Sequence, residues 1–330
     1  MKYSILDLAN INQNATAKDA FKRAVDLATL GENNGFTRYW VAEHHNMVNI
    51  ASSATAVLIG HIAGNTKSIR VGSGGIMLPN HAPLMVAEAF GTLETLYPDR
   101  IDLGLGRAPG TDQITSHALR RDPSRADQFP NEVMELLTYF HPEDNQRINA
   151  IPGMNLDVPV WILGSSLFGA QLAAHLGLPY AFAGHFAPTH MKDALQIYRE
   201  RFKPSKYLDE PYAILCMNAV IADTTEEAEI EFTTMKQSFT QLIRDDRKLT
   251  PPPITLEEME AYWNPMEKRH VNSMLRLSAI GDKSVAKNFI ENLLDEIEVE
   301  ELMFAGVIFD NKKRLHSFKL LSEVMQSIHQ

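Results

Sequence analysis

A single cysteine, Cys216, stands among 330 residues, which excludes a disulfide framework. Its apolar setting, AILCMNAVIA, suits a buried, inert thiol in a reducing compartment. Positive charge is also scarce, since 31 Lys and Arg face 41 Asp and Glu and leave a formal net charge of -10. A nucleic-acid backbone would be repelled rather than neutralised, so no nucleic-acid partner is expected. No apolar run approaches the length of a membrane span, and the apolar stretch of MKYSILDLAN is too short for a signal peptide. A cytoplasmic protein without a membrane partner is expected. The chain also lacks G-x-x-x-x-G-K-[ST] and G-x-S-x-G, which counts against a nucleotide triphosphatase and an α/β-hydrolase. The nearest approach to G-x-G-x-x-G is GLGRAPG, whose last glycine comes one residue late and which follows the fourth strand rather than an early one.

What is present centres on IRVGSGGIMLPNHAPLMVAEAFGTLETLYPDRIDLGLGRAPG, from Ile69 to Gly110. It reads as a strand with a glycine-rich end, a helix entered at Pro83, and a second strand ending in Gly106, Arg107 and Gly110: one complete βαβ unit. Gly72, Gly74 and Gly75 let a planar ligand lie against the main chain, or mark a bulge. Arg107 is a guanidinium at the carboxyl end of a parallel strand, where such sheets bind anions.

The same alternation runs through the rest of the chain, with strands at Tyr3–Ala9, Tyr39–Ala42, Val158–Leu163, Leu178–Ala183, Tyr212–Ala222 and Leu302–Phe309. With 45% hydrophobic residues and eight strands each followed by a helix, a single closed (β/α)8 TIM barrel over 1-330 is expected rather than an open doubly wound sheet. The pattern breaks from Asp246, where the PPP run and mixed polar residues predict a peripheral insertion over about 246-281, between strands 7 and 8. Thr111 to Arg125, with His117, Arg120, Arg121 and Arg125, is too long for a plain connector and suits a lid or substrate contact. The small-residue helix Ala51 to Ala63 and the helix Pro83 to Tyr97 suit either a homodimer contact or packing on the sheet. If they meet across a dimer, large charged residues at Ala54 or Ala87 should separate the protomers.

In a barrel the carboxyl ends of the strands supply the site. The candidates are Glu43, His44 and His45, the pair Gly74 and Gly75, Arg107, Ser165 and Ser166, and His185, with His81 as a pocket wall. Ser165 and Ser166 precede a helix whose free N–H groups attract anions, so with Arg107 they form a phosphate cradle, or else they simply cap the helix. Glu43, His44, His45 and His81 could alternatively ligate a metal, as in a metal-dependent TIM-barrel hydrolase. Adjacent strand residues point to opposite faces, however, and neither H-x-H nor H-E-x-x-H occurs.

The runs WVAEHHN, RVGSGGIMLPNHAPLMVAEAFGTLETLYPDRIDLGLGRAPG and PVWILGSSLFGAQLAAHLGLPYAFAGHFAP resemble the bacterial luciferase-like flavin-dependent monooxygenases over nearly the whole chain. The resemblance implies a (β/α)8 barrel that binds reduced FMN supplied by a separate flavin reductase and uses dioxygen to oxidise a small organic substrate. It places the family's active-site histidine on His44 and its phosphate ligands on Arg107 and Ser166, with Ser165 alongside. It also places a cis peptide under the flavin ring at Gly74–Gly75. Light-emitting members carry a reactive cysteine where Gly106 stands, so a non-luminescent monooxygenase is expected. A deazaflavin-dependent oxidoreductase is the alternative within the resemblance.

Overall fold

The computed structural model describes residues 1–108, 110–121 and 125–328. Its strands are β1 Lys2–Asp7, β2 Arg38–Val41, β3 Arg70–Met77, β4 Ile101–Gly106, β5 Val160–Gly164, β6 Tyr180–Ala183, β7 Ala213–Ile221, β8 Ser278–Gly281 and β9 Glu301–Ala305. Its helices are α1 Ala17–Asn33, α2 Thr55–Gly64, α3 Pro83–Leu96, α4 Gln113–Ala118, α5 Arg125–Phe140, α6 Leu167–Leu176, α7 Met191–Arg201, α8 Thr225–Ile243, α9 Leu256–Tyr262, α10 Pro265–Met274, α11 Lys283–Glu296 and α12 Asn311–Ser327. Strands pair in parallel in the order β1-β2-β3-β4-β5-β6-β7-β9, and β9 returns to β1. The expected closed eight-stranded barrel is therefore the architecture.

Alternation along the strands separates two cores. Ile5, Tyr39, Val41, Val71 and Leu103 point outward and pack under the helices, whereas Leu6, Trp40, Trp161, Ile214 and Met303 fill the barrel itself. Cys216 lies in that inner set, where burial pushes its thiol well up, in line with an inert side chain. Local signals set the helix ends: Pro83 opens α3, Gly177 closes α6 in the left-handed conformation, and Thr224 accepts from the Glu227 amide at the start of α8.

One strand escaped the sequence. Ser278–Gly281 forms β8, which pairs with Asn218–Ile221 on the far half of β7 while the near half completes the barrel. Its sequence, SAIG, holds one large apolar residue, so no apolar run marks it as a strand. Together with α9 and α10, β8 makes the expected peripheral insertion, which has its own apolar centre of Phe232, Met235, Met259, Trp263, Val271 and Leu275. The expected loop after Arg107 contains α4, capped by Asp112. Asp122 to Ser124 and the Arg125 side chain lie outside the described residues.

At the amino ends of the strands, inside the barrel, an ionic layer also escaped the sequence. Arg38 reaches Asp102 at 2.8 Å and holds Glu301 through Nε at 2.9 Å and Nη2 at 3.1 Å. Arg70 grips the other Asp102 oxygen at 2.7 Å, and the Trp40 indole N–H and the Tyr212 hydroxyl donate to Asp102 and Glu301. Burial pushes the Asp102 carboxyl up, but the guanidiniums of Arg38 and Arg70 outweigh it and hold it below its usual range.

The expected dimer position Ala87 is corrected here. Its side chain is fully buried and its carbonyl abuts Gly153 within the same chain, so it is not a surface position. The exposed apolar side chains on these helices are Val57, Met85 and Leu96.

Candidate active site

Three successive residues leave the end of β2 in different directions because their amides are tied to different neighbours. The Glu43 N–H donates to the Gly75 carbonyl at 3.0 Å, that of His44 to Ser52 at 3.0 Å and that of His45 to Gly110 at 3.2 Å. The Glu43 side chain is turned into protein and 1% exposed. It receives the Met77 amide at 3.0 Å, Asn80 Nδ2 at 3.0 Å, His45 Nε2 at 2.8 Å and His81 Nε2 at 2.9 Å. Burial pushes this carboxyl up, yet the hydrogen bonds from His45 and His81 outweigh it and bring it down to about 2. Glu43 is thus a fixed anion that organises the strand end. With its oxygens so engaged, and with no group of three or more His, Cys, Asp or Glu placed to hold a metal among the described residues, the geometry gives no support to the hydrolase alternative.

His44 is free of this hub. Its Nδ1 is sealed from solvent without a hydrogen-bond partner, and burial pushes the ring's pKa below 6.5, against the opposing influence of Glu43 and the Ala42 carbonyl. The ring is therefore neutral near pH 7. His185, after β6, is also desolvated, and burial brings it down to about 3, with a further lowering wherever His44 is itself protonated.

Beside them the Gly74–Gly75 peptide is cis, as the resemblance implied. A Cβ on Gly75 would sit 2.7 Å from the Gly104 carbonyl oxygen, and one on Gly74 would sit 2.9 Å from Leu6. The backbone contact at Gly75 leaves no room for a side chain, whereas at Gly74 the Leu6 side chain would have to move.

Arg107 lies against the first turn of α6, the helix that follows Ser165 and Ser166. The Arg107 guanidinium lies 4.0 Å over the ring of Phe168, in the first turn of α6. It makes no hydrogen bond or ion pair among the described residues. Ser166 is the N-cap of α6 but its hydroxyl makes no capping bond, so the reading of Ser166 as a plain cap is not what the structure shows. The loop cation Arg121 braces the site from behind, donating to the Arg107 carbonyl at 2.9 Å and to Asn80 Oδ1 at 3.3 Å. Asn218 went unnoticed in the sequence because a lone asparagine in an apolar strand carries no motif. It donates to the His185 carbonyl at 2.7 Å and to Ser278 Oγ at 3.1 Å.

Known proteins share this fold. The profile of the luciferase-like monooxygenases matches residues 1–288. The chain belongs to that family. The chain is 50% identical over 328 residues to the luciferase-like monooxygenase of Escherichia coli (strain K12), covering 99% of this chain and 97% of the relative. The crystal structure of apo-MsnO8 superimposes with a TM-score of 0.90 at 32% identity, over 98% of both chains. The oxygenating constituent of 3,6-diketocamphane monooxygenase from Pseudomonas putida, in complex with FMN, shares the fold with a TM-score of 0.72 at 16% identity, over 98% of this chain and 97% of that one. No helix among the described residues is long and apolar enough to cross a membrane.

Proposed function

We propose that this family member binds reduced FMN at the carboxyl end of the barrel and uses dioxygen to place an oxygen atom on a small organic substrate. The observation that carries the reading is the unpaired Arg107 guanidinium held on Phe168 beside the uncapped turn of α6. Arg107, the Ser165 and Ser166 hydroxyls and the free N–H groups of α6 form a donor set that fits a phosphate monoester. FMN, when bound, supplies the two-electron reduction of dioxygen. This chain's own residues orient the group through that cradle, exclude water with the apolar walls of the mouth, and hold or accept a proton at His44 Nε2. Glu43, held as an anion by His45 and His81, fixes the strand end on which His44 stands.

Anaerobic titration with reduced FMN, oxidised FMN, riboflavin and a deazaflavin tests the reading. Reduced FMN is expected to bind tighter than riboflavin, and preferential binding of the deazaflavin would replace FMN as the cofactor. Arg107→Ala should weaken FMN binding by about 1.5 to 3 kcal/mol, a charge-assisted hydrogen bond, and leave riboflavin unchanged. Equal losses for the two ligands would remove Arg107 from the phosphate site.

The reading includes a cytoplasmic location, a separate flavin reductase as partner and a homodimer built on α2 and α3. Val57, Met85 and Leu96 are 74%, 68% and 63% exposed on these helices, an apolar set that a two-fold contact would cover. The double substitution Val57→Asp with Met85→Glu is expected to shift a dimer to monomer in sedimentation. A wild-type monomer at micromolar concentration would end the dimer proposal.

A further inference from the structure

The peripheral insertion has a cavity of its own, about 460 Å³, lined from α8, α9, the end of α10 and β8. Its volume falls in the range of small-molecule sites, about 300 to 1,000 Å³. His44, Arg107, Ser166 and His185 are not among its lining residues. Much of the lining is apolar: Phe232, Met259 and Leu275 are buried, Ile280 is half-buried, and Leu256, in the first turn of α9, is 37% exposed.

The cations of this segment divide into two kinds. Arg244 is paired with Glu267 at 2.8 Å, Lys268 with Glu260 at 2.6 Å and Lys248 with Asp246 at 2.6 Å. Lys236 and Arg276 line the cavity and make no hydrogen bond or ion pair among the described residues. The Lys236 ammonium instead lies 5.4 Å from the centre of the Phe232 ring and 5.8 Å from that of Trp263. Burial pulls its pKa below the usual lysine value, although Glu229 and Glu260 oppose the shift. A desolvated ammonium without a carboxylate in reach is a charge that a bound anion would answer. Because Lys268 already answers Glu260, the charges left on the lining are those of Lys236, Arg276 and Glu229, an excess of one positive charge. That excess matches a monoanion. A phosphate monoester, with a charge of about -1.5 to -2 near pH 7, would exceed it and be repelled by Glu229.

We propose that this cavity is a second binding site, for a small carboxylate with a compact apolar body, the carboxylate meeting Lys236 and Arg276 and the body covering Phe232, Met259 and Leu256. Titration calorimetry of the full-length chain with cyclohexanecarboxylate tests it. Cyclohexanecarboxamide, cyclohexylmethylamine and acetate should each bind about tenfold or more weakly, since each lacks either the charge or the apolar body. Lys236→Met keeps the stem and removes the charge, and should lose about tenfold in affinity, or 1.4 kcal/mol. Leu256→Trp, which fills the opening, should abolish binding without lowering the melting temperature. In wild type labelled with methyl-¹³C methionine, the ligand should move the NMR signal of Met259, assigned through Met259→Leu, and leave that of Met77 at the end of β3 in place. Each of the following would overturn the proposal: a wild-type protein that does not bind cyclohexanecarboxylate, equal affinity for the carboxamide, undiminished affinity in Lys236→Met, or movement of Met77 in place of Met259. No flavin enters the experiment, so this site and the cofactor assignment stand or fall separately.

Discussion

His44→Ala is expected to keep reduced-FMN affinity within a few-fold and to lower product formation by about 10² or more, the usual range for a lost general acid or base. The expectation follows from a ring that is neutral near pH 7, stands clear of the Glu43 hub and leaves Nε2 unbonded among the described residues. Stopped-flow measurement of product yield with a working substrate checks it, and unchanged turnover would make His44 structural. The pH dependence carries its own sign. An unfolded chain takes up a proton on each of His44 and His185 near 6.5, whereas burial keeps both folded rings neutral to lower pH. The unfolded state then binds more protons, so their contribution to stability is present above 6.5 and is lost as pH falls toward about 3, the folded value for His185. Denaturation midpoints should decline across that window, with a shallower decline in His185→Phe.

The barrel was legible because its strands are long apolar runs that end in glycine, histidine or serine, and because helices follow each of them with ordinary caps. Arg107, Ser165 and Ser166 were legible by their place at strand ends, and the structure brings Arg107 onto the first turn of the helix that the serines open. The fixed role of Glu43 was legible only in outline. That its carboxylate would be used up by four donors depends on Met77 and Asn80 folding back over it, more than thirty residues away. The ionic layer was illegible for the same reason, since Arg38, Asp102 and Glu301 come from three strands far apart in the chain and look, one by one, like surface charges at strand starts. Ala87 was misplaced because small residues on an amphipathic helix mark a close approach without saying whether the partner is another protomer or Gly153 of the same chain.

The largest loss of stability is expected from Asp102→Asn. The substitution leaves Arg38 and Arg70 facing each other across the amino end of the barrel without the anion between them. Arg38 is nine-tenths or more removed from solvent, and breaking a buried pair on one side costs about 3 to 5 kcal/mol. Glu301→Gln should cost less, because Glu301 answers one guanidinium whereas Asp102 answers both Arg38 and Arg70, and the carboxamide can keep one of its bonds. Chemical denaturation followed by fluorescence of the neighbouring Trp40 and Trp161 provides the measurement. A loss below about 1 kcal/mol in Asp102→Asn would show that water or a shifted Glu301 compensates, contrary to the closed geometry. The Asp102 contribution is present above the ordinary carboxyl value of 3.8 and is lost as pH falls through its lowered folded value, a more acidic window than that of the histidines.

The forked strand β7 has a consequence for how this molecule can evolve. Its near half is a stave of the barrel and its far half is the template for β8, so the peripheral segment is spliced into the barrel's own hydrogen-bond ladder rather than hung from a loop. Removing it would leave Asn218 to Ile221 as a bare edge, open to pairing with another chain, and would take Ser278 away from the asparagine that pins the mouth. Residues of the segment can vary, but its register on β7 cannot slip by one without moving Ser278 away from Asn218 and turning the segment's own side chains to the opposite face. Lineages that reshape the substrate mouth are therefore free to lengthen the α9 and α10 connections, while the four-residue graft that joins them to the barrel has to be inherited intact.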